Sequence, residues 1–130
     1  MTDKGLIALI AHDQRKDELT QFCRDHVEAL RPRGLVATGT TGSRIAAATG
    51  LEVHLYLSGP LGGDAQIAAQ VAEGAVAAVI FLTDPMTPHP HEPDIQGLLR
   101  ICNVHNVPLA TNLATATAIL RQPLSSAQAH

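Results

Sequence analysis

Five short apolar runs, each followed by a stretch of helical periodicity, constrain this 130-residue chain more than any other feature. The runs are LIALIA (6–11), LVAT (35–38), EVHLYL (52–57), VAAVIFL (76–82) and VPLA (107–110). Between them lie helix-like segments. The first carries Leu19, Phe22, Cys23, Val27 and Leu30 on one stripe, a spacing of three to four residues that fits an α-helix with one apolar face. A short helix is expected over 43–49, another from Asp64, a fourth with Ile95, Leu98, Leu99 and Cys102 on one side, and a last over 113–121. LIALIA and VAAVIFL contain no polar residue, as in strands buried on both faces. Strands of this kind alternating with helices predict an α/β fold: a single, doubly wound, mainly parallel five-stranded sheet with helices on both faces. The domain is expected to span 1–122, with 123–130 as a C-terminal tail.

The charge balance narrows the partners. Nine basic and twelve acidic residues give a net charge of −3, and no basic tract is present, so neither nucleic acid nor a membrane surface is an expected partner. Cys23 and Cys102 both fall on apolar helix stripes and are expected as buried, reduced thiols of a cytoplasmic protein. The amino-terminal MTDKGLIALIAHD holds too short an apolar run for a leader or a membrane span and reads as a strand. One Tyr, two Phe and no Trp stand against twenty Ala. Large apolar side chains supply most burial energy, so a domain this poor in them is expected to draw on subunit contacts as a homo-oligomer.

In a doubly wound sheet, ligands sit beyond the carboxyl ends of the strands. The five loops at that end read HDQRK, TGTTG, SGPLGGD, TDPMTPHPHEPD and TNLATAT, and they gather the hydroxyl-bearing and ionisable residues. The opposite loops, RPRG, ATGLE, AEGA and VHNVP, are plainer. TGTTG follows a strand and opens a helix. Its glycines let successive N–H groups converge, and a helix start adds positive potential, so it reads either as a phosphate cradle or as an ordinary capped turn. It is neither a Walker loop nor a dinucleotide fingerprint. Lys16, one turn past His12, can add a cation at the same edge. Two glycine-bearing loops and one lysine suit a single phosphate, and no aromatic residue stands in these loops to stack a base. The ligand is expected to be small and phosphorylated. Asp64, reached through three glycines, reads either as a helix N-cap or as a carboxylate facing that ligand.

His12, His89 and His91 lie in these loops, whereas His26, His54, His105 and His130 lie on helices, strand or tail and are read as structural or solvated. HPHEPD admits a metal reading with His89, His91, Glu92 and Asp94 as ligands, but no second cluster completes a shell, and no metal is expected. A neutral imidazole polarising a substrate oxygen is the preferred use.

The segments AHDQRK, ATGTTG, LSGPLGGDAQIAA, FLTDP, HEPDIQGLLR and PLATNLATA, in this order, resemble the methylglyoxal synthases from about residue 6 to residue 120. The resemblance implies a lyase that converts dihydroxyacetone phosphate to methylglyoxal and inorganic phosphate through an enediolate. It implies no cofactor, a homohexamer, and phosphate as both product and inhibitor. By position it implies that Lys16, Thr38, Gly39, Thr40, Thr41, Ser58 and Gly59 bind substrate and phosphate. It likewise makes His12 a substrate-binding histidine, Asp64 the catalytic base, and His91 a catalytic and substrate-binding histidine over the carbonyl and hydroxyl end. Asp13, Asp84 and Asp94 match acidic positions that line the site. A noncatalytic phosphometabolite sensor of the same fold is the alternative; it would keep the phosphate loops without needing Asp64 and His91 together.

Overall fold

The computed structural model describes residues 5–58, 61–86 and 92–121, with side chains described throughout except at 92–95. Strands β1 (Leu6–Ala11), β2 (Gly34–Thr38), β3 (His54–Tyr56), β4 (Val76–Leu82) and β5 (Leu109–Ala110) form one sheet in the order β3-β2-β1-β4-β5. Every neighbouring pair is parallel. A 3-10 turn, Asp13–Arg15, leads into α1 (Lys16–Asp25) and α2 (Val27–Leu30). The remaining helices are α3 (Gly39–Thr49), α4 (Gly63–Ala72), α5 (Glu92–Val104) and α6 (Leu113–Arg121).

Side chains on a strand alternate between faces, and the two halves of the core divide accordingly. Ile7, Leu9 and Ala11 pack with Leu19, Phe22, Leu30, Ile45 and Ala116, which come from α1, α2, α3 and α6. Ala8 and Ile10 pack with Ile67, Val71, Leu98 and Cys102 from α4 and α5. The chain steps outward from β1 to β2 to β3, then crosses back to β4 and on to β5. With right-handed crossovers, that reversal places the helices of the two halves on opposite faces. It also opens a crevice over the carboxyl ends of β1 and β4, the topological switch point.

Several boundaries differ from the sequence expectation. The first helix is two, because His26 adopts φ −122° and ψ 27°, outside the helical region. Its ring Nδ1 donates to the Phe22 carbonyl at 2.9 Å, and the ring stacks on Phe22, so the side chain draws on a helix carbonyl at the break. Helix α3 begins at Gly39 rather than 43, which turns TGTTG from a preceding loop into the end of β2 and the helix's first turn. The edge strands β3 and β5 are shorter than the apolar runs that contain them, each having a ladder partner on one side only.

Candidate functional site

At the switch point, His12 follows β1 and its N–H donates to the Leu82 carbonyl (3.1 Å), prolonging the β1–β4 ladder by one rung. The ring is buried edge-on against Phe81. Its Nδ1 accepts the backbone N–H of Asp84 at 2.8 Å. A backbone N–H can only donate, so Nδ1 carries no proton and the neutral ring holds its proton on Nε2. His12 is therefore set as a hydrogen-bond donor through Nε2. Asp84 is itself buried and accepts the Met86 N–H at 3.1 Å, which shapes the turn after β4.

Beside this pair, the end of β2 and the start of α3 form the predicted cradle. Thr38 is the N-cap of α3, with extended backbone and no capping bond from its side chain. The Gly39 N–H reaches the Leu57 carbonyl (3.3 Å), while the Thr40 and Thr41 amides occupy the first turn, where a helix offers no acceptor of its own. Thr41 is 1% exposed, and its Oγ1 has no hydrogen-bond partner among the described residues. Leaving a buried hydroxyl unsatisfied costs about 1–3 kcal/mol, a cost that a bound oxyanion would remove. Lys16 approaches from the first turn of α1, with its Nζ 2.9 Å from Asp13, whose side chain is nearly fully exposed. An ion pair with so exposed a carboxylate contributes little and is readily exchanged.

The end of β3 and the start of α4 border the Thr38–Thr41 turn. Ser58 directs its carbonyl inward to the loop, accepting the N–H groups of Leu61 (3.0 Å) and Gly63 (2.9 Å). Gly62, not Asp64, is the N-cap of α4; its φ of 112° is one that side-chain-bearing residues rarely adopt. The capping role weighed for Asp64 is thereby assigned elsewhere. Asp64 lies in the first turn and is only 1% exposed. Gly63 is required by close approach, since a Cβ there would overlap the Leu57 carbonyl oxygen and stand 2.8 Å from Thr38 Cγ2. The start of α4, which carries Asp64, is thus pressed directly against the end of β2 at Thr38. The Leu57 N–H, one residue past the strand, donates to Gln66 Oε1 of α4 at 2.8 Å.

His12, Thr38, Gly39, Thr40, Thr41, Ser58, Asp64 and Asp84 consequently stand together at the carboxyl edge of the sheet, with Lys16 and Asp13 at its rim. Gly59, His89 and His91, and the side chains of Glu92 and Asp94, lie outside the described residues, as does 122–130. Two features of the site escaped the sequence reading. The Asp84 amide that fixes the His12 tautomer is backbone and leaves no residue signature, and Gln66 looked like one more polar position on a helix. Among the described residues no group of three or more His, Cys, Asp or Glu could hold a metal ion. A cleft of about 970 Å³ at the other end of the sheet, lined by Arg31, Arg33, Glu52 and His54 among others, contains none of the candidate residues. Burial pushes the Cys23 thiol up to about 12 and that of Cys102 to about 11, so neither is a nucleophile at neutral pH. No helix among the described residues is long and apolar enough to cross a membrane.

Known proteins can be set against this geometry. Residues 18–111 match the family described as the MGS-like domain. A methylglyoxal synthase of Thermus thermophilus is 62% identical over 114 residues, which cover 88% of this chain and 90% of that one. The methylglyoxal synthase of Moorella thermoacetica is 63% identical over 115 residues, covering 88% and 90%. Among solved structures, methylglyoxal synthase from Elizabethkingia anophelis superimposes with a TM-score of 0.88 at 42% identity, covering 95% of this chain and 81% of its own. A parallel sheet in this order, the loops at its carboxyl edge and relatives this similar over most of their length agree: the chain belongs to the methylglyoxal synthase family.

Proposed function

We propose that this chain converts dihydroxyacetone phosphate to methylglyoxal and inorganic phosphate, with Asp64 as the base. The observation that carries the proposal is the burial of Asp64 in the first turn of α4, pressed through Gly63 against the Thr38–Thr41 turn. A carboxylate beside an anion cradle costs electrostatic energy, and a domain that only held phosphate would gain by replacing it.

The bond changes follow from the substrate. Removing a proton from the carbon that bears the ester would give a vinyl phosphate, from which phosphate cannot leave by β-elimination. The proton therefore comes from the hydroxymethyl carbon and passes to Asp64. The electron pair forms the C=C bond of an enediolate while the carbonyl oxygen takes up negative charge. In this reading the Nε2–H of His12, whose Nδ1 is taken by the Asp84 N–H, donates to that oxygen. The hydroxyl on the deprotonated carbon then gives up its proton and its oxygen pair forms the aldehyde C=O. The C=C pair shifts to the ester-bearing carbon, and the C–O bond to phosphate breaks. The departing phosphate takes up the hydroxyl proton, and the enolate left behind ketonises by taking a proton on the former ester carbon. Elimination requires that C–O bond to lie out of the enediolate plane. The phosphate group's position decides this, so Lys16, Thr38, Gly39, Thr40, Thr41, Ser58 and Gly59 choose the product as well as binding the substrate. His91 would serve the hydroxyl and carbonyl end, with Asp13, Asp84 and Asp94 supporting the site. No cofactor enters any step. We further propose a cytoplasmic homohexamer inhibited by its phosphate product.

The test is direct. Purified, chelator-treated protein is given dihydroxyacetone phosphate, and methylglyoxal and phosphate are measured separately; the expected result is equal release of both. Phosphate binding without methylglyoxal would return the chain to the sensor class.

A further inference from the structure

The Ser58–Gly63 loop sets the separation between two parts of the proposed site, the phosphate-facing residue Ser58 and the base Asp64. Gly62 and Gly63 give the entry to α4 little stiffness of its own. What fixes it is a set of bonds at both ends. At the distal end, the Ser58 carbonyl accepts Gly63 N–H, and the Gly62 carbonyl accepts Gln66 N–H at 3.0 Å. At the proximal end, the Leu57 carbonyl accepts Gly39 N–H at 3.3 Å from the cradle. The Leu57 N–H lies beyond the last rung of β3, where the ladder with β2 pairs Thr38 with Tyr56. Its acceptor is Gln66 Oε1 at 2.8 Å.

Gln66 therefore engages both ends of the loop: its own N–H closes the first turn of α4 on Gly62, and its side chain ties that helix to Leu57. The residue is solvent-exposed, so burial does not explain the contact. Catalytic groups need placement to within about half an ångström, and a loop carrying phosphate donors on one side and a base on the other loses that placement if one end slides.

We propose that Gln66 is a positioning residue, which by accepting the Leu57 N–H holds the Ser58 turn against the cradle at a fixed distance from Asp64. This rests on the functional reading above. Gln66→Met removes the acceptor while keeping chain length and helix propensity. Losing one such bond is expected to raise both the Kd for inorganic phosphate and the KM for dihydroxyacetone phosphate about three- to tenfold. Because the same bond sets the distance between the phosphate group and the base, kcat should fall as well, by about three- to tenfold. Gln66→Glu keeps an acceptor and adds a charge. In about 0.5 M KCl, where exposed charges are screened within a few ångströms, it should bind phosphate within twofold of the unaltered protein in the same salt.

A Gln66→Met protein whose phosphate Kd stays within twofold of the original overturns the proposal, whether or not its melting temperature drops. A Gln66→Glu protein no better than Gln66→Met overturns it too. If the unaltered protein neither binds phosphate nor releases methylglyoxal, the functional reading fails first and takes this proposal with it, a result seen before any variant is compared.

Discussion

Asp64 occupies the first turn of a helix whose cap is Gly62, so its charge can be removed without removing the cap. Asp64→Asn preserves shape and burial but leaves an amide that cannot take a proton from carbon. Turnover should fall by ~10²- to 10⁴-fold, the range of a lost general base, while the melting temperature does not drop and phosphate affinity is kept or increased by removal of the neighbouring negative charge. Near-normal methylglyoxal release would acquit Asp64 and send the search for the base to Asp13, Asp84 or Asp94. Two glycines give a second, opposed pair of expectations. At Gly63 an added methyl collides with the Leu57 carbonyl and crowds Thr38. Gly63→Ala should cost about 1–3 kcal/mol through forced backbone shifts and should depress activity further by displacing Asp64. Gly97, exposed within α5, has nothing within 4 Å of a prospective Cβ. Gly97→Ala should be neutral or stabilise by about 0.5–1 kcal/mol, the entropy a mid-helix glycine loses. Chemical denaturation of the two variants checks both signs.

Elements were legible where burial was complete. β1 and β4 fall on the residues of LIALIA and VAAVIFL, because a strand covered on both faces leaves an unbroken apolar run that ends where solvent begins. The helix α6 likewise spans the expected 113–121. Less was readable where a local contact overrode the pattern. Nothing in the stripe Leu19–Leu30 announces that the His26 ring will bond the Phe22 carbonyl and part α1 from α2. The candidate site divides similarly: residue types marked His12, Thr38–Thr41, Ser58 and Asp64 as candidates, whereas the backbone donor of Asp84 and the acceptor of Gln66 became visible only once the chain was folded. The apolar stripes also placed Cys23 and Cys102, and their burial has a pH consequence. In the unfolded chain these thiols ionise near 9.0, while in the fold they remain protonated toward 12 and 11. Above about pH 9 the unfolded state binds fewer protons than the native one, so stability should decline as pH rises through that window and be unaffected by these groups below it. Iodoacetamide at pH 8 should label neither cysteine until denaturant is added; rapid labelling of the native protein would contradict their placement.

At the level of the whole molecule, Leu55 and Leu57 at the β3 edge, Leu61 in the following loop and Met86 after β4 all stand open to solvent in the single chain. These residues add an observation to the composition that pointed to a homo-oligomer, the proposed hexamer resting on the family resemblance, and light scattering showing a concentration-independent species near 13.7 kDa would exclude both. Phosphate provides the other global measurement. The proposed cradle draws on segments far apart in sequence, Lys16, Thr38–Thr41 and Ser58, so phosphate should bind the native state and not the unfolded chain. The stabilisation is then RT ln(1 + [L]/Kd), about 2.7 kcal/mol when phosphate stands at a hundred times its Kd. A thermal scan should show the melting temperature climbing with phosphate and continuing to climb logarithmically after the site fills. Sulfate-free chloride at matched ionic strength separates this from general salt effects. Thr41→Ala should reduce the shift, since it removes the buried hydroxyl whose unsatisfied oxygen an anion would engage, and by itself it should leave the phosphate-free protein no less stable. Lys16→Ala should reduce the shift more, because a cation loses more on removal than a neutral donor. A melting temperature that ignores phosphate in the unaltered protein would mean that the turn from Thr38 to Thr41 is only the capped start of a helix. Asp64 would then be a carboxylate with no phosphate ester beside it.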